Sequence, residues 1–209
     1  MSAQERAQAS LYHWILGNGY WEAASAFRLA RNIHSGKRKG GDPEFSHQIW
    51  ICNHIRTLPI PTKHMERAII IGLLHDTIED YPEQRKNIKH NVSKQAAKDS
   101  RIMSKIQDGI KMDNVAYMHA ILSNPLTAIA KGVDRAHNLY TMGDGFSIEK
   151  QRKQIAETRE YHIPMLKAAR QRYPKYHQCF EALKMIITMQ IAFLETLHLH
   201  MESTTPAAK

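Results

Sequence analysis

The sequence predicts an all-α protein, a bundle of amphipathic helices, and three observations carry that reading. Apolar residues recur at three- and four-residue steps nearly throughout the chain. Gly and Pro cluster between those periodic segments, where they punctuate rather than interrupt. No run alternates apolar and polar residues cleanly, as a half-buried strand would.

The elements follow in order. Ala3 to Leu16 is a first helix, ended by Gly17-Asn18-Gly19. Tyr20 to Ile33 is a second, with Ala24, Phe27 and Ala30 on one face. Ser35 to Pro43 (SGKRKGGDP) is a Gly- and Lys-rich loop. Phe45 to Leu58 is a third helix, closed by Pro59 and Pro61. His64 to Tyr81 is a fourth, with Pro82 behind it. Glu83 to Asp113 is polar and only partly helical. Val115 to Asn124 and Leu126 to Met142 flank Pro125 as two more helices. Ile148 to Tyr173 is one long helix that tolerates Pro164 or kinks there. His177 to Met201 is the last, with Phe180, Leu183, Ile187, Ile191 and Leu194 as its core stripe. A wider apolar surface on that helix leaves a homo-oligomer interface as the alternative to core packing. Residues 1–202 are expected to form one domain, with a core over about 20–175, and 203–209 (STTPAAK) to be a frayed tail.

Composition bounds the function. Lys plus Arg is 29 against 20 Asp plus Glu, a net charge of +9 that favours an anionic partner. Cys52 and Cys179 stand far apart with no CxxC pairing, which excludes a disulfide scaffold and a Cys-based zinc module. No apolar leader follows Met1, and the longest stretch free of charged residues, Asn114 to Ala130, contains Asn124 and Pro125. A cytoplasmic protein with no membrane partner is expected. Arg31, His34, Lys37 and Lys39 add positive charge around the loop but have no aromatic interleaving, so nucleic acid is not the expected partner, and a small phosphorylated nucleotide is.

The chemistry concentrates in Ala68 to Gln84, AIIIGLLHDTIEDYPEQ. Its acids follow directly on a run that must be buried. On a helix, His75, Asp76, Glu79 and Asp80 span about 140° of one face. Carboxylates crowded at the end of a buried segment repel one another and are costly to desolvate, and a bound cation removes that cost. A solvated acidic helix end is the alternative for this doublet taken alone. Two further segments weigh against that alternative. Asp134-Arg135-Ala136-His137-Asn138 follows the apolar stretch Leu126 to Val133, and His47 opens a helix directly after the basic loop. His47, His75, Asp76 and Asp134 together make an N2O2 set suited to a divalent first-row metal.

These residues resemble the HD-domain metallophosphohydrolases, and more closely the (p)ppGpp hydrolase domain of RelA/SpoT-type enzymes and the small alarmone hydrolases. The family's R-K-x-G-E-P-Y-x-x-H loop is matched by residues Arg38 to His47, its H-D-x-x-E-D by His75 to Asp80, and its K-x-x-D-R-x-x-N-x-x-T by Lys131 to Thr141. Lys150-Gln151-Arg152, Glu157-Thr158, Tyr161 and Pro164 are similar to its downstream helix. The likeness runs from about Ala26 to Leu166. It implies an HD-domain helical bundle with His47, His75, Asp76 and Asp134 as ligands to manganese or another divalent first-row metal. It implies that Glu79 and Asp80 activate or position a water. It places Arg38 beside the nucleotide base and Asn138 and Thr141 against sugar or phosphate, while Lys39 and Lys131 are phosphate-facing or simply solvated. The implied reaction is removal of the 3′-pyrophosphate of ppGpp or pppGpp. Another phosphorylated nucleotide (an NADPH 2′-phosphate or a (d)NTP) and a non-catalytic binding module are the alternatives. Glu44 departs from the family's Tyr, and the family's Gly-rich segment after the HD motif is not recognisable between Glu83 and Asp113. No synthetase, TGS or ACT-like region follows, so a bifunctional enzyme is not expected. His137, His162 and His177 read as structural.

Overall fold

The computed structural model describes residues 1–38, 41–107 and 109–204. Apart from its loops, the described chain is helical except for one small hairpin and an isolated bridge between Lys37 and Pro43. The first helices are α1 (Ala3–Gly17), α2 (Trp21–Ile33), α3 (Phe45–Ile55) and α4 (Thr62–Leu74). A capping box starts α1, in which Ser2 Oγ accepts from the Glu5 N–H and the Glu5 carboxylate accepts from the Ser2 N–H. Then come α5 (Thr77–Asp80), α6 (Arg85–Asn91), α7 (Lys94–Met103) and α8 (Asn114–Ile121). The chain closes with α9 (Pro125–Thr141), α10 (Ile148–Glu157), α11 (Ile163–Arg172) and α12 (His177–Thr204).

The core forms around α9. Its start is fixed by Asn124, whose side chain caps the Leu126 N–H, with Pro125 in the first turn where no donor is needed. Leu126, Ile129, Val133 and Ala136 are buried, and the helix packs on α3, α4, α11 and α12. These four share one face, and burial extends round the helix to the polar Asp134, Arg135 and His137, which marks α9 as a central helix. Close approach depends on Gly72 of α4. A Cβ there would stand 2.8 Å from Ile55 Cδ1 and 3.1 Å from Cys52 Sγ. Gly72 therefore lets α4 lie directly on α3, and these two helices carry His75 and His47 at their ends nearest the loop.

Three expectations are corrected, and the reading of 83–113 as partly helical is filled in. The expected helix His64 to Tyr81 is broken at His75-Asp76: α4 ends at Leu74, and Asp76 takes φ −107° and ψ −3° before the single turn of α5. The buried Thr77 that follows is tied to His34 of the preceding loop, 3.1 Å from its ring, which holds the chain out of the helical path. The expected long helix 148–173 is interrupted by a π-helical turn, Thr158–His162, where the Ile163 N–H reaches back to the Thr158 carbonyl. That widened turn accommodates Pro164, which has no N–H to continue an α ladder. The polar 83–113 segment contains α6, α7 and a two-stranded hairpin, Ile106–Gln107 with Ile110–Lys111, turned by Gly109 at φ +80°. Ser203, assigned to the tail, belongs to α12, and residues 205–209 lie outside the described residues.

By length and composition, Pro174–Ser203 is long and apolar enough to cross a membrane. One face of it packs in this fold: Phe180, Leu183, Ile187, Ile191 and Leu194 are buried against α9 and α11. His198 on the same face bonds Gln151 at 2.7 Å. Leu183 is fully buried against Gly132, so Leu183→Ala is expected to cost about 2–5 kcal/mol by lost transfer energy and a residual cavity. Urea unfolding should show a lower midpoint at unchanged slope, and a loss below about 1 kcal/mol would contradict this packing.

Candidate metal and nucleotide site

Three ligand groups converge where α3, α4 and α9 meet. His47 lies in the first turn of α3, His75 directly after α4, and Asp134 in the middle of α9. All three are buried, and one ligand atom from each lies within 4.8 Å of the other two. His47 Nε2 is 3.1 Å from His75 Nε2 and 3.3 Å from Asp134 Oδ1, and His75 Nε2 is 3.8 Å from the same oxygen.

The tautomers follow from the partners. His75 Nδ1 meets the Gly72 carbonyl at 2.9 Å, and a carbonyl only accepts, so Nδ1 carries the proton and Nε2 the lone pair. His47 has two choices. Its Nε2–H can donate toward His75 and Asp134, or its Nδ1–H can donate to His137 Nδ1 at 2.7 Å. The second choice leaves two lone pairs facing each other at 3.1 Å, which requires a cation between them. Two nitrogens about 2.1 Å from one ion at right angles sit roughly 3 Å apart. The donor set therefore fits a divalent metal. Burial, with His75 adding to it, keeps the His47 pKa below the ordinary value, which favours the neutral ligand form.

Asp76 stands beside this triad rather than within it. Its Oδ2 is 3.4 Å from His75 Nε2, and its Oδ1 accepts from Gln48 Nε2 at 3.1 Å. Burial works against its charge, but His75, His47 and His34 outweigh it and hold the carboxyl below the usual range. Asp134 is more tightly fixed. Lys131 Nζ donates to Oδ2 and Asn138 Nδ2 to Oδ1, both at 2.8 Å. Its pKa lies well below the usual carboxylate value, because Lys131 and the two imidazoles overcome burial. Lys131 thus faces Asp134 and the Tyr117 ring, not the cavity where a phosphate would lie.

A cavity of about 590 Å³ opens beside the triad. Such a volume suits a nucleotide-sized ligand. Asp76 and Asp80 line its metal side. Lys37, Arg38 and Lys150 supply positive charge around it, and Asn138 and Thr141 lie along α9. Arg135 is held at its edge by Gln154 (2.7 Å) and Glu157 (3.1 Å). Lys39 lies outside the described residues.

The two expected catalytic acids are separated. Glu79 turns away, and its Oε2 accepts the Lys105 N–H at 2.6 Å. Asp80 faces the cavity rim, where partial desolvation, then the carboxylates of Asp76 and Glu79, push its pKa up to about 6. Two residues near the site, His137 and His34, make contacts that the sequence reading does not assign to them. His137 was read as structural, yet it contacts His47 and lines the cavity, with its pKa lowered to about 3 by burial and then His47. The i, i+3, i+4, i+7 series Asp134, His137, Asn138, Thr141 is the signal that places it on the cavity face of α9. His34, read as loop charge, is buried and bridges Glu44 (2.8 Å) and Thr77 (3.1 Å). Glu44, where the resemblance expects Tyr, also accepts from the Tyr81 hydroxyl at 3.2 Å.

An all-α bundle that converges a helix-borne His, a His-Asp doublet and a distant Asp is an HD-type domain. Sequence comparison takes the assignment further. No family model matches the chain. It is 27% identical over 154 residues to a GTP pyrophosphokinase of Streptomyces coelicolor, covering 67% of this chain and 17% of that protein. It is 26% identical over 147 residues to a guanosine-3′,5′-bis(diphosphate) 3′-pyrophosphohydrolase of Haemophilus influenzae, covering 66% and 21%. It is 31% identical over 151 residues to GTP pyrophosphokinase rsh of Brucella suis biovar 1, covering 67% and 19%. The chain thus spans about a fifth of the length of these relatives. They are RelA/SpoT enzymes, one of them named as a 3′-pyrophosphohydrolase, and the site described above is consistent with a RelA/SpoT hydrolase-type HD domain.

A cation that binds only the folded protein raises its stability. Manganese is therefore expected to raise the Tm of the full chain, and His75→Ala and Asp134→Asn to abolish that rise. Equal shifts in all three proteins would contradict a site built on these ligands.

Proposed function

We propose that this protein is a metal-dependent phosphohydrolase that removes the 3′-pyrophosphate of guanosine tetra- or pentaphosphate. The observation that carries the reading is the buried His47, His75 and Asp134 cluster opening, past Asp76 and Asp80, onto a cavity ringed by Lys37, Arg38 and Lys150. The similarity to the Haemophilus influenzae pyrophosphohydrolase supports the substrate class.

His47, His75 and Asp134 would hold the cation, with Asp76 as a fourth donor. A bound divalent metal, manganese by the resemblance, supplies Lewis acidity to a phosphate and acidifies a water. Arg38, Lys37 and Lys150 would bind the anionic pyrophosphate and base, and Asn138 and Thr141 would orient the sugar end. Asp80 is the general base: it takes a proton from the water that attacks the 3′-linked phosphorus. The P–O3′ bond breaks, the ribose oxygen is protonated, and pyrophosphate leaves with GDP or GTP. Glu79 acts at a distance by anchoring the Lys105 segment beside the site. Lys131 fixes Asp134. A nucleotide substrate and two buried free thiols, Cys52 and Cys179, go with a cytoplasmic setting.

Asp42 and Glu44 also line the cavity. Their negative charge favours, as a second reading, a less highly charged nucleotide such as NADPH or a dNTP. The test is turnover of ppGpp, NADPH and dATP with manganese. Pyrophosphate release from ppGpp that is lost in His75→Ala supports the first reading, and release of phosphate from another nucleotide alone supports the second. Metal and nucleotide binding without turnover would point to a binding module.

Asp80→Asn is expected to lower kcat by about 10²–10⁴ as a lost general base. The raised Asp80 pKa fixes the sign of the pH dependence. The carboxylate is the active form, so kcat/KM should rise with pH through about 6 and level above it. Glu79→Gln should keep an acid limb but move it to lower pH, because one of the carboxylates that raise the Asp80 pKa is gone, and an unchanged limb in Asp80→Asn would remove Asp80 from the base role.

A further inference from the structure

We infer that His137 is a substrate-binding residue whose hydrogen-bond donor is set by the metal: with a cation on His47, its ring presents Nε2–H to a phosphate oxygen of the nucleotide. The inference deepens the proposed function and rests on its metal and nucleotide sites. His137 stands between the two. Its Nδ1 lies 2.7 Å from Nδ1 of the ligand His47, and its ring lines the cavity together with Lys37, Arg38 and Lys150. Trp50 of α3 covers the ring, with centroids 4.4 Å apart. Nε2, at the other edge of the ring, has no partner among the described residues. Its neighbours on the cavity side of α9 are already engaged. Asn138 Nδ2 donates to Asp134 at 2.8 Å, and the Thr141 hydroxyl donates to the His137 carbonyl at 3.0 Å. Arg135 is held by Gln154 and Glu157. His137 Nε2 is therefore a nitrogen of this wall left for a ligand.

The tautomers of the two rings are locked together. Two ring nitrogens this close share one proton, because two lone pairs or two N–H groups would repel. His137 is buried and pairs with no carboxylate among the described residues, so its ring is neutral and carries one proton. The tautomer of His47 therefore dictates that of His137. Without a cation, His47 Nε2–H points to Asp134 at 3.3 Å, and its Nδ1 accepts from His137 Nδ1–H. His137 Nε2 is then a lone pair, which repels a phosphate oxygen. A cation takes the Nε2 lone pair of His47, so His47 donates from Nδ1, and the one proton of His137 stands on Nε2. The exchange balances. His47 Nε2 loses a proton to water, the shared proton crosses from His137 to His47, and His137 Nε2 takes a proton from water in the cavity. A phosphate oxygen only accepts, so it discriminates between the two forms. By linkage, the nucleotide in turn favours the metal-bound form.

Nuclear magnetic resonance of the full chain, labelled with nitrogen-15 in its histidines, tests the switch with zinc alone as a diamagnetic metal. Long-range proton–nitrogen spectra separate protonated from lone-pair ring nitrogens, and His137→Gln assigns the His137 signals. The proton of His137 should move from Nδ1 to Nε2 as zinc saturates. Shifted His47 and His75 signals with an unchanged His137 tautomer overturn the proposal. Zinc that leaves His47 and His75 unmoved overturns the metal site itself, a different failure. Calorimetry with GDP then tests the contact at saturating zinc. His137→Phe, which loses donor and acceptor, should weaken GDP binding about ten-fold or more with zinc and leave it unchanged without zinc. His137→Gln accepts from His47 through Oε1 and donates through Nε2, so it should bind GDP within about three-fold of wild type. An equal loss with and without zinc in His137→Phe, or no loss, overturns the binding role. A tautomer change in a wild type that does not bind GDP overturns the guanine-nucleotide reading and this contact with it.

Discussion

His47 and His75 bring ring nitrogens to 3.1 Å inside a buried site, and the surroundings leave little freedom in where the protons sit. The Gly72 carbonyl fixes the tautomer of His75. His137 offers His47 a partner on the side away from the cluster. A single proton shift across the His47 ring therefore separates an internally hydrogen-bonded triad from a set of donors poised for a cation. Most of the fold serves to hold those rings and the Asp134 carboxylate in place. Gly72 lets α3 and α4 touch, and α9 carries Asp134 between Lys131 and Asn138, both of which fix it at 2.8 Å. In a low-dielectric interior such fixed partners keep Asp134 ionised despite the cost of burial.

The periphery is organised around the same point. The break after Leu74 separates the directions of neighbouring side chains, with His75 inward, Asp76 and Asp80 toward the cavity, and Glu79 toward Lys105. The π turn at Thr158–His162 lets the α10–α11 segment pass Pro164, while Gln154 and Glu157 before it grip Arg135. Gln151 ties that segment at both ends of its amide, donating to the Phe146 carbonyl and meeting His198 of α12. The wall of the cavity and the long last helix are thereby one packed unit.

Much of this was legible in the sequence. The 3.6-residue periodicity placed the main helices, and the ordered motifs around His47, His75-Asp76 and Asp134 named groups that the fold brings together. What escaped were features decided by tertiary partners. Nothing local distinguishes a continuous helix from one broken at His75-Asp76, because the break rests on Thr77 bonding a histidine 43 residues earlier. Lys131 looked like a phosphate contact because its spacing from Asp134 is helical, and the same spacing lets the two residues pair. Glu44 looked like a loss beside the family's Tyr. In this chain it is a working acceptor for His34 and for the hydroxyl of Tyr81, an aromatic supplied from another element.

The most direct measurement is a crystal structure of the full chain grown with manganese, with anomalous difference maps collected on both sides of the manganese edge. The account predicts one strong peak between His47 Nε2, His75 Nε2 and Asp134 Oδ1, with His47 Nδ1 still on His137. Well-ordered rings with no peak between them, or a manganese peak held only by exposed carboxylates elsewhere, would contradict it.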